Sequence, residues 1–304
     1  MYLHENKDMF TEMIEAVNIE TGIAQSIIEK DYYVTMILRL LSIKCPNVVF
    51  KGGTSLSKCY HIINRFSEDI DITFPEHIGE SRRKKLKYNI LKPISEELGM
   101  PIQNWNNIQS DRDYNYYLFG YAPISEYPDV GLLPGIKLET ALISYAYPTE
   151  EKEVSSILYD TLKNEIPDTL EEYNLLPFSM MVQSIDRTFI DKIYALCDYY
   201  MEGKSKRYSR HLYDIYRLYP QITINGEFNA LVKDVRKHRA TLSICPSAKD
   251  EVDLYALIDE FLNNEFYKRD YEEITRTLIA DNVTYEQTAH CLKDISDQLF
   301  LKKE

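Results

Sequence analysis

Two aspartates stand two positions apart in a short apolar segment, Asp69-Ile70-Asp71-Ile72. Side chains two apart in a β-strand point to the same face, so both carboxylates are predicted to project together while the isoleucines enter the core. Carboxylates that share one face can bind a cation together with the phosphates that it carries. This spacing predicts a site for phosphate chemistry.

A glycine turn precedes the two aspartates. Gly52, Gly53, Thr54 and Ser55 follow a short strand predicted at residues 48–50 and open a predicted helix. The first N–H groups of a helix lack partners within it, and the helix dipole is positive at that end, so such a turn suits a phosphate. A glycine turn that can bind phosphate, next to a pair of carboxylates, is typical of a site that binds a metal and a nucleotide. The apolar residues at helical spacing after the turn are Leu56, Cys59, Tyr60 and Ile63.

The composition is that of a globular protein. The 304 residues are 44% hydrophobic and 27% charged, enough for one large domain or two ordinary ones. The net charge of −13 argues against a protein that coats nucleic acid over its whole surface. The five cysteines follow no metal-binding spacing, which favours reduced thiols in the cytoplasm. No apolar run approaches the roughly 20 residues that cross a bilayer.

Basic residues are nevertheless clustered. Each cluster could contact a phosphate backbone or form a solvated surface, and neither interpretation is favoured for a single cluster. The clusters comprise Arg82, Arg83, Lys84, Lys85 and Lys87; Lys204, Lys206, Arg207 and Arg210; and Arg236, Lys237, His238 and Arg239.

Two helices are predicted before the glycine turn. Apolar residues recur at helical spacing over residues 8–20 and 24–43, and the second helix has a broad apolar face. The charged triplet Glu29-Lys30-Asp31 interrupts that face. Because such triplets are usually solvated, surface placement is predicted for it.

A charged pair lies in the strands predicted further along. Residues 114–121 alternate as a strand, and Ile136–Ser144 is its predicted partner after a turn at Tyr127–Gly135. Within the second strand, Lys137 and Glu139 share one face. Such a pair is usually the solvent side of an antiparallel sheet. Beside the two aspartates it could instead supply a third acid and an amine that neutralises phosphate charge, and the pattern leaves both interpretations open.

The sequence changes character near residue 182, where a domain boundary is predicted. Residues 163–183 read as irregular, and the pattern afterwards is almost wholly helical, beginning with helices over 185–201 and 208–219. Polar residues at helical spacing mark one face of each of these two helices. They include Lys192 on the first, and Arg210, His211 and Asp214 on the second.

Spacing alone favours a structural role for these polar residues. An exposed Arg210–Asp214 pair four residues apart is the simplest interpretation, and such a pair contributes little to stability. His211 alone is expected to be a surface or capping residue rather than a ligand.

Several segments together resemble a known enzyme family. KGGTSLSKCYHIINRFSEDIDI resembles the signature of the AbiEii/AbiGii-type nucleotidyltransferase toxins, which belong to the DNA polymerase β-like nucleotidyltransferase superfamily. IIEKDYYVTMILRLL is similar to the N-terminal helix of that family. KLE at 137–139, RTFIDK at 187–192 and RHLYDIYRL at 210–218 are similar to its second, third and fourth motifs. The segments occur in the expected order.

The resemblance implies a fold and a domain division. The fold is α+β, with a nucleotidyltransferase core built on a mixed or antiparallel sheet flanked by helices and followed by a C-terminal all-α bundle. Residues 1–182 would form the nucleotidyltransferase domain with its N-terminal helices, and residues 183–304 would form the helical domain. The site would be a cleft between the two domains.

The resemblance also implies roles for individual residues. Asp69 and Asp71 would hold Mg²⁺, with an NTP as co-substrate, and Lys192 would reach the triphosphate. Glu139 would be a third acid, either a metal ligand or the base for the incoming hydroxyl. The implied catalytic set is Asp69, Asp71, Glu139, Lys192 and Asp214. The implied nucleotide-binding set is Gly52, Gly53, Thr54, Ser55, Lys137 and Arg210.

The family includes toxins of abortive-infection toxin–antitoxin pairs, which implies an acceptor and a partner. The acceptor favoured here is the 3′ end of tRNA, whose modification would block translation, and the implied partner is a winged-helix antitoxin encoded nearby. A protein hydroxyl or a small molecule such as an antibiotic are the alternative acceptors. A non-enzymatic binding module is disfavoured because it leaves the acidic pair and the glycine turn unexplained.

Overall fold

The chain divides into two compact units. The computed structural model describes residues 1–65, 67, 69–126, 135–142 and 147–300. We call Met1–Tyr60 with Ser67–Gln183 the sheet unit, and His61–Phe66 with Ser184–Glu304 the helical unit. No helix among the described residues is long and apolar enough to cross a membrane.

The sheet unit is built on a six-stranded mixed sheet. The strands are β1 (Val49–Lys51), β2 (Ile70–Thr73), β3 (Tyr114–Phe119), β4 (Ile136–Ala141), β5 (Thr149–Val154) and β6 (Phe178–Gln183). Their order across the sheet is β3-β4-β2-β1-β6-β5. β1 is antiparallel to β2 and parallel to β6, and β2 is parallel to β4. The outer pairs, β3 with β4 and β5 with β6, are antiparallel.

Helices flank the sheet. They are α1 (Lys7–Thr21), α2 (Gln25–Lys44), α3 (Gly52–Lys58), α4 (Glu80–Lys85), α5 (Lys92–Glu97), α6 (Ile157–Leu162) and α7 (Pro167–Glu172). Short 3₁₀ turns cover Leu3–Glu5 and Trp105–Asn107, and a π-helical turn, Leu86–Leu91, joins α4 to α5. The long helix α2 packs on β4 and β6 and also contacts α1, α5 and α6. The predicted α+β fold with a mixed sheet flanked by helices is confirmed.

The charged triplet on α2 is not at the surface as predicted. Glu29 is fully buried, and its carboxylate accepts hydrogen bonds from the N–H groups of Ile124 and Ser125. Asp31 accepts from Lys58 Nζ at 2.6 Å and from the Ile157 N–H. Glu29 and Lys30 are buried and Asp31 is half-buried, and partners distant in the sequence satisfy the charges of Glu29 and Asp31.

Two predicted boundaries also differ from the structure. The helix after the glycine turn ends at Lys58, so Cys59, Tyr60 and Ile63 do not belong to it. The segment 163–183, predicted to be irregular, contains α7 and the inner strand β6. The pattern hid β6 because apolar residues lie on both of its faces, Met180 and Val182 on one and Met181 on the other, so polar and apolar residues do not alternate clearly.

The predicted strands 114–121 and 136–144 correspond to the antiparallel pair β3 and β4. Residues 127–134 of the predicted turn Tyr127–Gly135 lie outside the described residues, as do residues 143 and 144 at the end of the second predicted strand.

The helical unit is centred on α8 and α9. Its helices are α8 (Ile185–Met201), α9 (Arg210–Leu218), α10 (Gly226–Ala240), α11 (Leu254–Asn263), α12 (Lys268–Asp270), α13 (Arg276–Leu278) and α14 (Tyr285–Leu299). Shorter turns cover Tyr219–Gln221, Pro246–Ala248 and the π-helical Tyr271–Thr275. α8 packs on α9, α10 and α11, and α14 packs on α9 and α11. This is the predicted C-terminal all-α bundle.

Candidate active site

A polar row crosses one face of the sheet. Lys51 on β1 is in register with Asp71 on β2, Asp71 with Glu139 on β4, and Glu139 with Tyr116 on β3. Residues in register on neighbouring strands project to the same face. The opposite face carries Ile70, which is fully buried. The sheet therefore brings Asp71 and Glu139 together, although α4, α5 and β3 lie between them in the sequence.

Asp71 lies directly against the glycine turn. Gly52 has a φ of +81°, in the left-handed region that favours glycine. A Cβ atom at Gly52 would overlap Oδ2 of Asp71 and would stand 2.9 Å from its Cγ. The carboxylate thus occupies the space that a side chain at residue 52 would need, so the turn and the acid form one structural element.

The hydroxyl groups of the turn are bonded within the protein. Thr54 Oγ1 donates to the backbone oxygen of Asp69 at 2.6 Å, and Ser55 Oγ donates to the backbone oxygen of Gly52 at 2.9 Å. Both side chains are buried. The hydroxyls therefore hold the turn and the approach to β2 in place. Asp69 lies one residue before β2, so the strand argument for a shared face applies to Asp71 alone.

Lys137 and Glu139 form an ion pair on β4. Partial burial alone would lower the pKa of Lys137, but the hydrogen bond and charge of Glu139 raise it, with a further contribution from the charge of Asp69. Partial burial and the charge of Glu139 also raise the pKa of Tyr114 to about 12. These effects show that Asp69, Lys137, Glu139 and Tyr114 belong to one electrostatic cluster.

The acidic residues of the sheet unit have the donor chemistry of a magnesium site. Mg²⁺ prefers carboxylate oxygens and keeps several waters or phosphate oxygens as further ligands. Asp71 and Glu139 supply carboxylates from adjacent register positions. Among the described residues, no group of three or more His, Cys, Asp and Glu side chains is arranged to hold a metal ion.

A second cluster lies in the helical unit. Arg65 forms a two-point contact with Asp214: Nε lies 2.7 Å from Oδ1, and Nη2 lies 2.7 Å from Oδ2. Lys192 Nζ donates to Oδ2 of the same carboxylate at 2.6 Å. The Asp214 side chain is fully buried. Burial alone would raise the pKa of Asp214, but the charges of Arg65 and Lys192 outweigh it and hold the pKa far below its usual range.

The structure corrects two expectations about α9. The prediction of an exposed Arg210–Asp214 ion pair is wrong, because Asp214 is buried and bonded to Arg65 and Lys192. His211 is neither a surface nor a capping residue: it follows the first residue of α9, and its Nδ1 atom is buried without a hydrogen-bond partner among the described residues. Burial holds its pKa well below the usual value.

Arg65 is the residue that the sequence analysis missed. It lies between the glycine turn and the two aspartates in the sequence, yet its partner Asp214 is 149 residues away. The sequence offered no specific signal for it, because Arg65 is followed closely by Ser67, Glu68 and Asp69 and so resembles a surface residue. Only its burial, which the sequence does not show, requires an anionic partner.

The basic clusters are partly internal. Arg83 Nε donates to the backbone oxygen of Ile78, and Lys87 Nζ donates to that of Ile108. Arg239 bonds the carboxylate of Asp198. These three side chains form hydrogen bonds within the protein, so they are not candidates for contact with a nucleic acid.

Comparison with known proteins agrees with the fold. The family model described as nucleotidyl transferase AbiEii toxin, type IV toxin–antitoxin system, matches residues 37–293. MenT4, a nucleotidyltransferase toxin from Mycobacterium tuberculosis H37Rv, is similar in structure with a TM-score of 0.53 and 15% sequence identity. The alignment covers 96% of this chain and 90% of that chain. The comparison with curated proteins gives no match.

The likeness to MenT4 shows the fold alone, because the sequence identity is 15%. The family model is more informative, since it spans most of the chain. On that match, the chain belongs to the AbiEii family of nucleotidyltransferase toxins of type IV toxin–antitoxin systems, and it is a nucleotidyltransferase.

Proposed function

We propose that this toxin transfers an NMP from an NTP to the 3′ end of tRNA and thereby blocks translation, in the cytoplasm and as part of abortive infection. The observation that carries the proposal is the contact between Asp71 and Gly52, with Glu139 in register on the next strand. An acid fixed against a glycine turn brings phosphate-binding N–H groups and a carboxylate to one place.

The reaction needs charge stabilisation more than a covalent nucleophile. A hydroxyl oxygen of the acceptor attacks the α-phosphorus of the NTP, the bond to the β-phosphate oxygen breaks, and pyrophosphate leaves. Negative charge grows on the attacking and leaving oxygens, so positioned cations and N–H donors lower the barrier.

We assign the metal to Asp69 and Asp71, with Glu139 as a further acid. When bound, Mg²⁺ would neutralise charge on the phosphate oxygens. The remaining work falls to the protein itself. The backbone of Gly52, Gly53, Thr54 and Ser55 would bind the β- and γ-phosphates, and this backbone is shaped by the Thr54 and Ser55 hydroxyls.

Cationic side chains would bind the triphosphate. Lys137, Lys192 and Arg210 are assigned to neutralise phosphate charge, and the charge of Arg210 lowers the pKa of the nearby Lys192. Asp214 holds the ammonium group of Lys192. Glu139, held by Lys137, is assigned either to the metal or to the proton of the incoming hydroxyl.

Two exposed tyrosines favour an RNA acceptor. Tyr114 and Tyr116 are 48% and 41% exposed on β3, and Tyr116 is in register with Glu139. Lys137 Nζ lies 5.6 Å from the centre of the Tyr116 ring. Aromatic faces beside a cation suit a single-stranded nucleotide, whose bases stack while its phosphates pair with charge.

The proposal extends to organisation and partners. We retain residues 1–182 as the nucleotidyltransferase domain and residues 183–304 as the helical domain. The family match implies an antitoxin, and we propose that it is a winged-helix protein encoded nearby.

The test is to follow the label from each α-³²P-NTP in a cell extract. We expect label in RNA, and we expect it to disappear when the 3′ ends are first oxidised with periodate. Label in protein or in small solutes would replace tRNA with one of those acceptors. A parallel reaction with the Asp71→Asn variant gives the background.

A further inference from the structure

We propose that Arg65 is a positioning residue for the nucleotidyl transfer reaction, and that it acts by fixing Asp214 so that the ammonium group of Lys192 is held in one place. This inference rests on the proposed function, because the role of Lys192 as a triphosphate ligand belongs to that proposal. Arg65 itself need not contact the nucleotide.

The geometry of the contact supports positioning. The guanidinium group meets Asp214 at two points, both at 2.7 Å. A two-point contact between planar groups fixes the rotation of the carboxylate, which a single lysine contact does not. Lys192 then bonds Oδ2, an oxygen that Arg65 has already placed. Arg65 therefore orients the carboxylate of Asp214, and that carboxylate in turn holds the ammonium group of Lys192.

The backbone that carries Arg65 is itself held within the helical unit. The N–H of Asn64 donates to the Tyr213 hydroxyl at 3.1 Å, and the Asn64 oxygen accepts from the Ala280 N–H at 2.9 Å. Arg217 Nε donates to the Ile62 oxygen at 3.1 Å. Three contacts on residues 62–64 thus anchor the segment, so the backbone that carries the Arg65 side chain is held in place.

All three side chains of the cluster are buried. Arg65, Lys192 and Asp214 are at most 7% exposed, so water screens their contacts far less than it screens a surface ion pair. Loss of the Arg65 contact therefore removes a strong constraint on the orientation of the Asp214 carboxylate.

The pKa of Lys192 provides a measurable readout of the charge of Arg65. Burial lowers this pKa, the charge of Asp214 opposes that effect, and the charges of Arg65 and Arg210 lower it further. His211 also interacts electrostatically with Lys192. Removing the charge of Arg65 therefore raises the pKa of Lys192 and also raises the pKa of Asp214, because that carboxylate loses a cation.

The test compares Arg65→Lys with Arg65→Gln. Arg65→Lys keeps the charge but loses the two-point contact, and we expect kcat/KM for the NTP to fall by about ten- to a hundredfold, as when an orienting hydrogen-bond partner is removed. For Arg65→Gln we expect a similar fall in kcat/KM, and the decrease of kcat/KM at high pH should begin at a higher pH than in the wild type. For Arg65→Lys that decrease should begin near the wild-type pH.

Matched controls separate positioning from folding. Arg217→Ala and Tyr213→Phe each remove one of the three contacts that anchor residues 62–64. In each variant the other two contacts remain, as do Arg65 and Lys192, the partners of Asp214 among the described residues. We expect both to keep kcat/KM within about threefold of the wild type. Melting temperatures of all variants show whether each one folds.

Two patterns would overturn the inference. One is an Arg65→Lys variant with wild-type kcat/KM. The other is an equal loss in the Arg217→Ala control, which would make Arg65 merely structural. If Lys192→Met is also fully active, the triphosphate-binding role that the proposed function assigns to Lys192 fails. An inactive Lys192→Met with normal Arg65 variants refutes only the role of Arg65.

Discussion

Gly52 gives the sharpest test of the glycine turn. Gly52→Ala places a Cβ atom where Oδ2 of Asp71 lies, at a φ of +81°. The left-handed backbone costs about 1–2 kcal/mol for an alanine, and the overlap adds about 1–3 kcal/mol if the surroundings yield as an overpacked core does. We therefore expect the free energy of unfolding to fall by about 2–5 kcal/mol.

The same substitution should lower the rate. Relief of the overlap requires the Asp71 carboxylate to move by about 1 Å, and a displacement of that size can lower kcat about a hundredfold. The assay is the initial rate of labelled NMP transfer at saturating NTP, with urea unfolding measured on the same preparations.

Gly22 supplies a matched control. It has a φ of +72°, close to that of Gly52, but nothing lies within 4 Å of a Cβ built on it. Gly22→Ala should therefore lose about 1–2 kcal/mol and keep the wild-type kcat. In an Asp71→Ala background, Gly52→Ala should lose only that backbone cost. A Gly52→Ala enzyme with wild-type kcat would refute the reasoning.

Three further outcomes follow from the structure. Burial lowers the pKa of His211 in the folded protein, so as the pH falls the unfolded chain binds a proton at His211 before the folded chain does, and the free energy of unfolding decreases by up to about 1.4 kcal/mol for each pH unit below 6.5. His211→Phe should therefore reduce the difference between the free energies of unfolding measured in urea at pH 5.5 and pH 7.5, and an unchanged difference would contradict this. Tyr116→Ala should raise KM for tRNA about tenfold while Tyr116→Phe does not, and equal effects in the two variants would remove the stacking role. Lys58→Met should lower stability by about 3–5 kcal/mol, because it leaves the Asp31 carboxylate without its cation, and a loss below about 1 kcal/mol in urea unfolding would show that water replaces Lys58.

Local patterns in the sequence predicted the local structure well. The apolar spacing predicted α1 and α2 to within about two residues, and alternation predicted the pair of strands that carries Lys137 and Glu139. The shared face of that pair is a property of strand geometry, and the sequence contains it directly.

Long-range pairing could not be predicted in this way. Glu29 is buried because the N–H groups of Ile124 and Ser125 meet its carboxylate, and nothing near Glu29 in the sequence indicates this. Asp214 and Arg65 satisfy each other across 149 residues. Spacing rules describe neighbours along the chain, whereas a buried charge depends on a partner that only the tertiary fold supplies.

The decisive measurement for the proposed role of Asp71 is the rate at which the Asp71→Asn variant transfers labelled NMP to purified tRNA. The substitution keeps the shape of the side chain against Gly52 and removes its charge. Glu153→Gln, a similar loss of charge at an exposed position of β5, is the control. We expect at least about a hundredfold loss of transfer for Asp71→Asn, with an unchanged melting temperature and wild-type transfer by the Glu153→Gln control. An Asp71→Asn enzyme that labels tRNA at the wild-type rate would contradict it.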